Sequence, residues 1–171
     1  MFTVIESQDD ITSLVTLSEA KAQCRLMDSF VMDDTYIEGL ISLCGSLAQT
    51  YTHRLLSPGV IQLENDDYMS KFILPWGNVS SINSVFIDDV ETEDYSFSST
   101  TGTIKVTSGY ENIKVNYNAG YSELPVKVKQ GILMLISTMY VNRVDFVTGV
   151  SVNNLPVQST VLLDSVRDYC V

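Results

Sequence analysis

The stretch from Tyr117 to Arg143 constrains this chain most: a strand ending in Tyr117-Asn118-Ala119-Gly120-Tyr121, a Leu124-Pro125 helix start, then a helix apolar on almost every side. Ile132, Leu133, Met134, Leu135, Ile136, Met139, Tyr140 and Val141 are not confined to one stripe, so this helix must be covered over most of its circumference. Pro125 suits the first helical turn, where its missing N–H breaks no hydrogen bond, and Gly120 suits the bend before it. The dense apolar part gives way to Ser137 and Thr138. A membrane span needs roughly 20 largely apolar residues, so the expectation is a buried or interfacial helix and no membrane.

The first ten residues have no basic start and no long apolar run, so a cleaved secretion signal is not expected. Cys24, Cys44 and Cys170 are odd in number and lack Cys-x-x-Cys spacing; they read as buried, reduced thiols of a cytosolic product. Charge is uneven. Residues 1–100 hold 16 acids and 4 bases, whereas 101–171 hold 5 acids and 6 bases, for a net charge of −11. Nucleic-acid binding rests on many Lys and Arg neutralising phosphates, which this chain does not supply in bulk. A face that DNA passes without sticking is compatible with that balance, and so is plain solvation of an acidic surface.

The hydrophobic period switches from 3.6 to 2 and back. Thr16-Leu17-Ser18-Glu19 reads as a capping box opening a helix over 17–27. Asp33-Asp34 suit the positive end of a second helix over 33–56, whose apolar positions Tyr36, Ile37, Leu40, Ile41, Leu43, Cys44, Leu47, Ala48 and Tyr51 follow three- and four-residue spacing. From 60 to 118 alternation predicts an inserted antiparallel β-meander, with Ile82, Ser84 and Phe86 facing one way and Asn83, Val85 and Ile87 the other. Ile113, Val115 and Tyr117 alternate with Lys114 and Asn116. The third helix is 125–143, and 144–171 is a loop followed by a short helical arm carrying Val161, Leu162, Leu163, Val166 and Tyr169. The expectation is one α+β domain over 1–171: a mainly helical bundle of three long helices and a short C-terminal one, interrupted by the meander.

Candidate chemistry is sparse. His53, the one histidine, stands beside Arg54 near a helix end, where a cation complements the dipole. Without a second histidine or a Gly-x-Ser-x-Gly turn, nucleophilic hydrolysis has no support. A two-carboxylate glycosidase site would need converging acids, but the acids sit in turns and at helix starts. The run Asp88–Asp94 lacks the glycine and closing glutamate of an EF-hand loop and reads as an exposed hairpin tip. No dinucleotide or nucleoside-triphosphate loop is present. No enzyme activity, metal or cofactor is expected.

Several segments, in order, resemble the head-tail connector (adaptor or head-completion) proteins of long-tailed bacteriophages. They are Leu17-Ser18-Glu19-Ala20-Lys21 with Arg25-Leu26, Asp33-Asp34 before Ile37-Glu38-Gly39-Leu40-Ile41, and Tyr51-Thr52-His53-Arg54. Val79-Ser80-Ser81-Ile82-Asn83-Ser84-Val85, the Tyr117–Tyr121 turn, Leu124-Pro125 and the helix to Asn142-Arg143 continue the series. Leu155-Pro156, Leu162-Leu163 and Arg167 are similar to the short final helix of such proteins. The resemblance implies a virion protein made in the bacterial cytoplasm and placed at the neck. It would form a ring, dodecameric in the virion, on the portal protein, meet a downstream connector, stopper or tail protein, and let DNA through without specific binding.

Assembly candidates on this reading are Ile132, Ile136, Met139, Tyr140 and Arg143 on the apolar helix, Val150, Val152 and Leu155 in the following loop, and Leu162, Leu163, Arg167 and Tyr169 in the arm, which is expected to reach a neighbour while the core folds without it. The alternatives are a tail-completion or tail-terminator ring, usually richer in strand, and an acidic hydrolase. With only ten basic residues against 21 acids, affinity for duplex DNA at physiological salt is expected to be negligible; micromolar retention with a steep salt slope in a filter-binding assay contradicts this.

Overall fold

The computed structural model describes residues 2–66, 70–106, 112–142 and 157–168. These divide into two compact units, one built from 1–9, 53–122 and 168–171 and the other from 10–52 and 123–167.

The first unit holds the strands. β1 (Phe2–Gln8), β2 (Gly59–Asn65), β4 (Val79–Ile87), β5 (Val90–Glu91) and β8 (Ile113–Ala119) form a five-stranded antiparallel sheet in the order β1-β2-β8-β4-β5. β3 (Lys71–Ile73), β6 (Tyr95–Ser98) and β7 (Thr103–Val106) form a second sheet in the order β3-β7-β6. One apolar cluster joins them, with Ile61, Leu63, Val85, Ile113, Val115 and Tyr117 from the large sheet and Phe72, Ile104 and Val106 from the small one. β8 alternates strictly, Ile113, Val115, Tyr117 and Ala119 buried and the residues between half-buried, as its sequence predicts. The Tyr117 hydroxyl donates to the Pro75 carbonyl at 2.9 Å, and burial raises its pKa.

The second unit holds α1 (Leu17–Gln23), α2 (Asp34–Thr52), α3 (Val126–Val141), α4 (Val157–Asp164) and a 3-10 turn, Ile11–Ser13. The capping box forms: the Thr16 hydroxyl accepts from the Glu19 amide, and the Glu19 carboxylate accepts from the Thr16 amide at 2.9 Å. Partial burial would raise the Glu19 pKa, but hydrogen bonds from Lys129 on α3 and from Thr16 outweigh it and hold the carboxyl below its ordinary value. From Gly131 to Ile136 every residue of α3 except half-buried Met134 is buried, so the apolar helix is covered nearly all round.

The expectation of a mainly helical bundle with three long helices is corrected. Four α-helices share the described residues with eight strands in two sheets. α1 stops at Gln23, not near 27, because Arg25 adopts a left-handed conformation (φ 59°) and Leu26 N–H reaches the Lys21 carbonyl at 2.9 Å while Arg25 N–H reaches Ala22. That is a Schellman stop with arginine where glycine is usual. His53 (φ 53°) likewise follows the last residue of α2. The strands are not a meander either. β8 lies between β2 and β4, and β1, unforeseen, pairs with β2 across more than fifty residues of chain. Register shifts within β4 put Ile82, Val85 and Ile87 all against the core, breaking the expected alternation. The Asp88–Asp94 run does begin as a hairpin tip: Asp88 and Asp89, both with positive φ, link paired Ile87 and Val90.

Two glycines are required by close approach. Gly120 leaves β8 at φ +106°, and a Cβ there would lie 2.2 Å from the Ser57 carbonyl oxygen. Gly131 lets Leu163 of α4 pack against α3, with the Leu163 side chain 3.3 Å from where a Cβ would stand. α4 is thus part of the helical unit's core rather than a free arm: Leu163 and Ser159 are buried. Gly120→Ala combines backbone strain with a backbone clash and is expected to cost about 3 kcal/mol. The melting temperature should then fall by roughly 6–12 °C in a thermal denaturation scan.

Candidate functional site

The residues chosen from sequence separate into three groups. Ile132 and Ile136 are fully buried and present no surface to a neighbour. Met139 and Tyr140 are half-buried: the Met139 sulfur is 3.6 Å from Cys44 Sγ, and the Tyr140 hydroxyl donates to Asp33 Oδ2 at 2.6 Å. Leu162 is half-buried, Leu163 buried, and the Arg167 guanidinium lies 4.4 Å over the Tyr51 ring, whose hydroxyl donates to Asp164 at 2.7 Å. Arg143, Val150, Val152, Leu155 and Tyr169 lie outside the described residues.

A different surface is exposed and apolar. The loop between α1 and α2 shows Met27, Val31 and Met32 to solvent, at 76%, 67% and 86% exposure. α2 continues it with Tyr36, Leu43 and Leu47, seven and four residues apart and therefore on one side, while Ile37, Ile41, Cys44 and Ala48 point inward. The loop is held in place. Buried Lys21 places Nζ 2.6 Å from Asp34 Oδ1 and 3.1 Å from the Asp28 carbonyl, Ser18 bonds the Asp28 carboxylate, and Tyr140 bonds Asp33. The Tyr36 and Tyr140 rings are 6.2 Å apart, which extends the patch onto α3. An apolar surface held rigid by ionic and hydrogen bonds loses little entropy when a partner covers it.

One signal for this surface lay in the sequence. α2 has more apolar positions than a single inward face uses, and Tyr36, Leu43 and Leu47 are the surplus. That Met27, Val31 and Met32 stay exposed shows only in the fold, where Lys21 holds the loop through the Asp28 carbonyl and Asp34.

Among the described residues reactive groups do not converge. Burial pushes the Cys44 thiol up to about 12, leaving little thiolate at neutral pH. Cys24, also a free thiol, is half-buried and raised by burial too. Asp10 and Glu38 share a depression beside α2, but Asp10 accepts from the Thr12 amide, and both carboxylates are exposed, without the apolar surroundings a general acid needs. Among the described residues no three His, Cys, Asp or Glu side chains are grouped to hold a metal, and no helix is long and apolar enough to cross a membrane.

No protein-family model matches this chain, and no curated protein does. Solved structures match along its whole length. A chain in the neck of an empty gene transfer agent particle, computed with C6 symmetry, superposes with a TM-score of 0.79 at 16% identity, covering 100% of this chain and 97% of that one. The fold is shared with a gene transfer agent neck. A chain in the virion of the native particle gives 0.78 at 15% identity, and one in the native neck computed with C12 symmetry gives 0.73 at 14%, each with the same coverage. At these identities the likeness is one of fold.

Met32→Glu combined with Leu43→Glu alters only exposed positions, so the melting temperature should stay within about 2 °C of the parent. The double variant should bind less of an apolar-surface dye than the parent; unchanged dye binding would mean that this surface is not open to solvent. Ile136→Asp buries an unpaired charge and should unfold the helical unit instead.

Proposed function

We propose that this chain is a non-enzymatic structural subunit of a phage-type virion neck. Copies form a ring, twelve in the virion, that sits on the portal protein, joins the head to the tail and extends the DNA channel. The observation that carries this reading is the whole-length fold likeness to chains of gene transfer agent necks treated with C6 and C12 symmetry. The order of connector-like segments from Leu17 to Arg143 supports it independently.

The physical chemistry is compatible with the role. The pinned apolar loop and the outer stripe of α2 are the kind of surface a monomer leaves open only when a partner covers it. A net charge of −11 suits a channel through which DNA slides without adhering. The chain would be made in the bacterial cytoplasm and end in the virion, with the portal on one side and a further connector, stopper or tail protein on the other.

A tail-completion or tail-terminator ring is the second reading. Such proteins are usually richer in strand, and the eight strands among the described residues weaken the helical content that separates the two. Ring formation is common to both; binding to the portal distinguishes them. Light scattering of the purified chain, alone and mixed with its portal, is expected to show a complex carrying about twelve copies per portal ring. A chain that oligomerises alone but ignores the portal favours the terminator, and one that does neither overturns both.

A further inference from the structure

We propose that neighbouring copies in the ring are matched by charge: Lys71 and Lys105 of one copy face Glu91, Glu93 and Asp94 of the next. This rests on the ring reading given under Proposed function and names the subunit contact within it.

Lys71 on β3 and Lys105 on β7 are direct cross-strand partners, and both side chains are exposed. Like charges placed opposite one another destabilise a sheet. Lys21, Arg54, Lys114, Lys129 and Arg167 each have a carboxylate within 4.0 Å. Among the described residues neither Lys71 nor Lys105 has one, although 21 acids are available in the chain. Ile73, on the same face of β3 as Lys71, is 54% exposed. The result is a small cationic and apolar face on an otherwise acidic chain.

The acidic counterpart belongs to the same unit. In the run from Asp88 to Asp94 the first two acids are already engaged: Asp89 is 2.7 Å from Lys114, and Asp88 accepts from the Asn112 amide at 2.9 Å. Glu91, Glu93 and Asp94 are exposed, and among the described residues their carboxylates have no partner. Glu91 sits on β5 of the five-stranded sheet and Glu93 and Asp94 on the link into β6, whereas Lys71 sits on the edge strand β3 and Lys105 on the central strand β7 of the small sheet, so cations and anions belong to different elements. A cyclic ring is built from heterologous contacts, in which two different, complementary patches of one molecule meet repeatedly. Exposed lysines on β3 and β7 and exposed carboxylates on β5 and the link after it are two such patches of opposite sign. Opposed charges across such a contact also fix its register and offset the repulsion between subunits of net charge −11.

DNA phosphates are the rival occupant of the lysine face. Two lysines would release only about two counterions, which is weak binding, and phosphate contact leaves Ile73 and the free acids without a purpose. A second copy uses all of them.

Charge reversal on the full-length chain tests this. Lys71→Glu with Lys105→Glu, and separately Glu91→Lys with Glu93→Lys and Asp94→Lys, change exposed side chains only, so circular dichroism and melting should match the parent. Each variant alone should associate about tenfold or more weakly in sedimentation velocity. An equimolar mixture of the two should regain assembly, as should one chain carrying all five substitutions. If the parent forms rings and both single-sided variants do too, the charge contact is overturned and the ring reading stands. If the parent never associates, alone or with its portal, the ring reading fails and the contact with it. Loss that mixing does not restore also overturns the contact, and a simultaneous fall in duplex-DNA retention by the lysine variant assigns that face to phosphate.

Discussion

The strand Ile113–Ala119 is the element on which the sheet unit depends. It is hydrogen-bonded along both edges, to β2 and to β4, so it has no free side on which to slip. Its inward residues enter the core, and its outward residues are fixed by partners: Asn118 bonds Ser81 and Asn83, Asn116 bonds Ser84, and Lys114 pairs with Asp89 and Glu64. Register is thereby specified from both faces at once. The buried Tyr117 hydroxyl carries the constraint further by holding Pro75, next to the left-handed residues Trp76, Gly77 and Asn78. Asn78 in turn donates to the Gly120 carbonyl at 2.6 Å, tying that turn to the exit of β8. The bend at Gly120 is thus held by this bond, and the nearby Ser57 carbonyl leaves no room there for a side chain.

The helical unit solves the complementary problem of covering an all-round apolar helix in little chain. α3 takes α1, α2 and α4 as neighbours, and a glycine at position 131 brings α4 close enough to seal the remaining side. With that demand met inside the unit, Ile132 and Ile136 of α3 are not what a partner would cover. The apolar patch left open is built on α2 and the loop before it and reaches Tyr140 of α3. Buried Lys21, paired with half-buried Asp34, ties the loop down, and removing Asp34 would leave the lysine charge without its carboxylate partner in a buried position.

These two surfaces have different physical characters, and an assembly can use both. The apolar patch supplies area, which drives association without specifying angle. The exposed lysines of the small sheet and the acids of β5 and the link after it supply direction but little affinity of their own in water. A ring needs both, since a non-directional contact aggregates and a purely ionic one dissociates in salt.

The sequence alone determined what depends on neighbours along the chain. The Thr16–Glu19 capping box, the alternation of β8, the hairpin tip at Asp88-Asp89 and the need to cover α3 were legible because each is set within a few residues by one hydrogen-bond or packing period. What was not legible rests on non-local pairing. The insertion of β8 between β2 and β4, the capture of β1 by β2, and the division into two sheets instead of a meander depend on which strands meet, which sequence periodicity does not encode. Arg25 stops α1 in a conformation that glycine usually announces, and Leu163 is buried only because Gly131 lies beneath it. The exposed apolar surface was decided the same way: Leu43 and Leu47 are as apolar as Ile37 and Ile41, and only the packed helices determine which of them face water, because burial belongs to the tertiary arrangement and not to the residue.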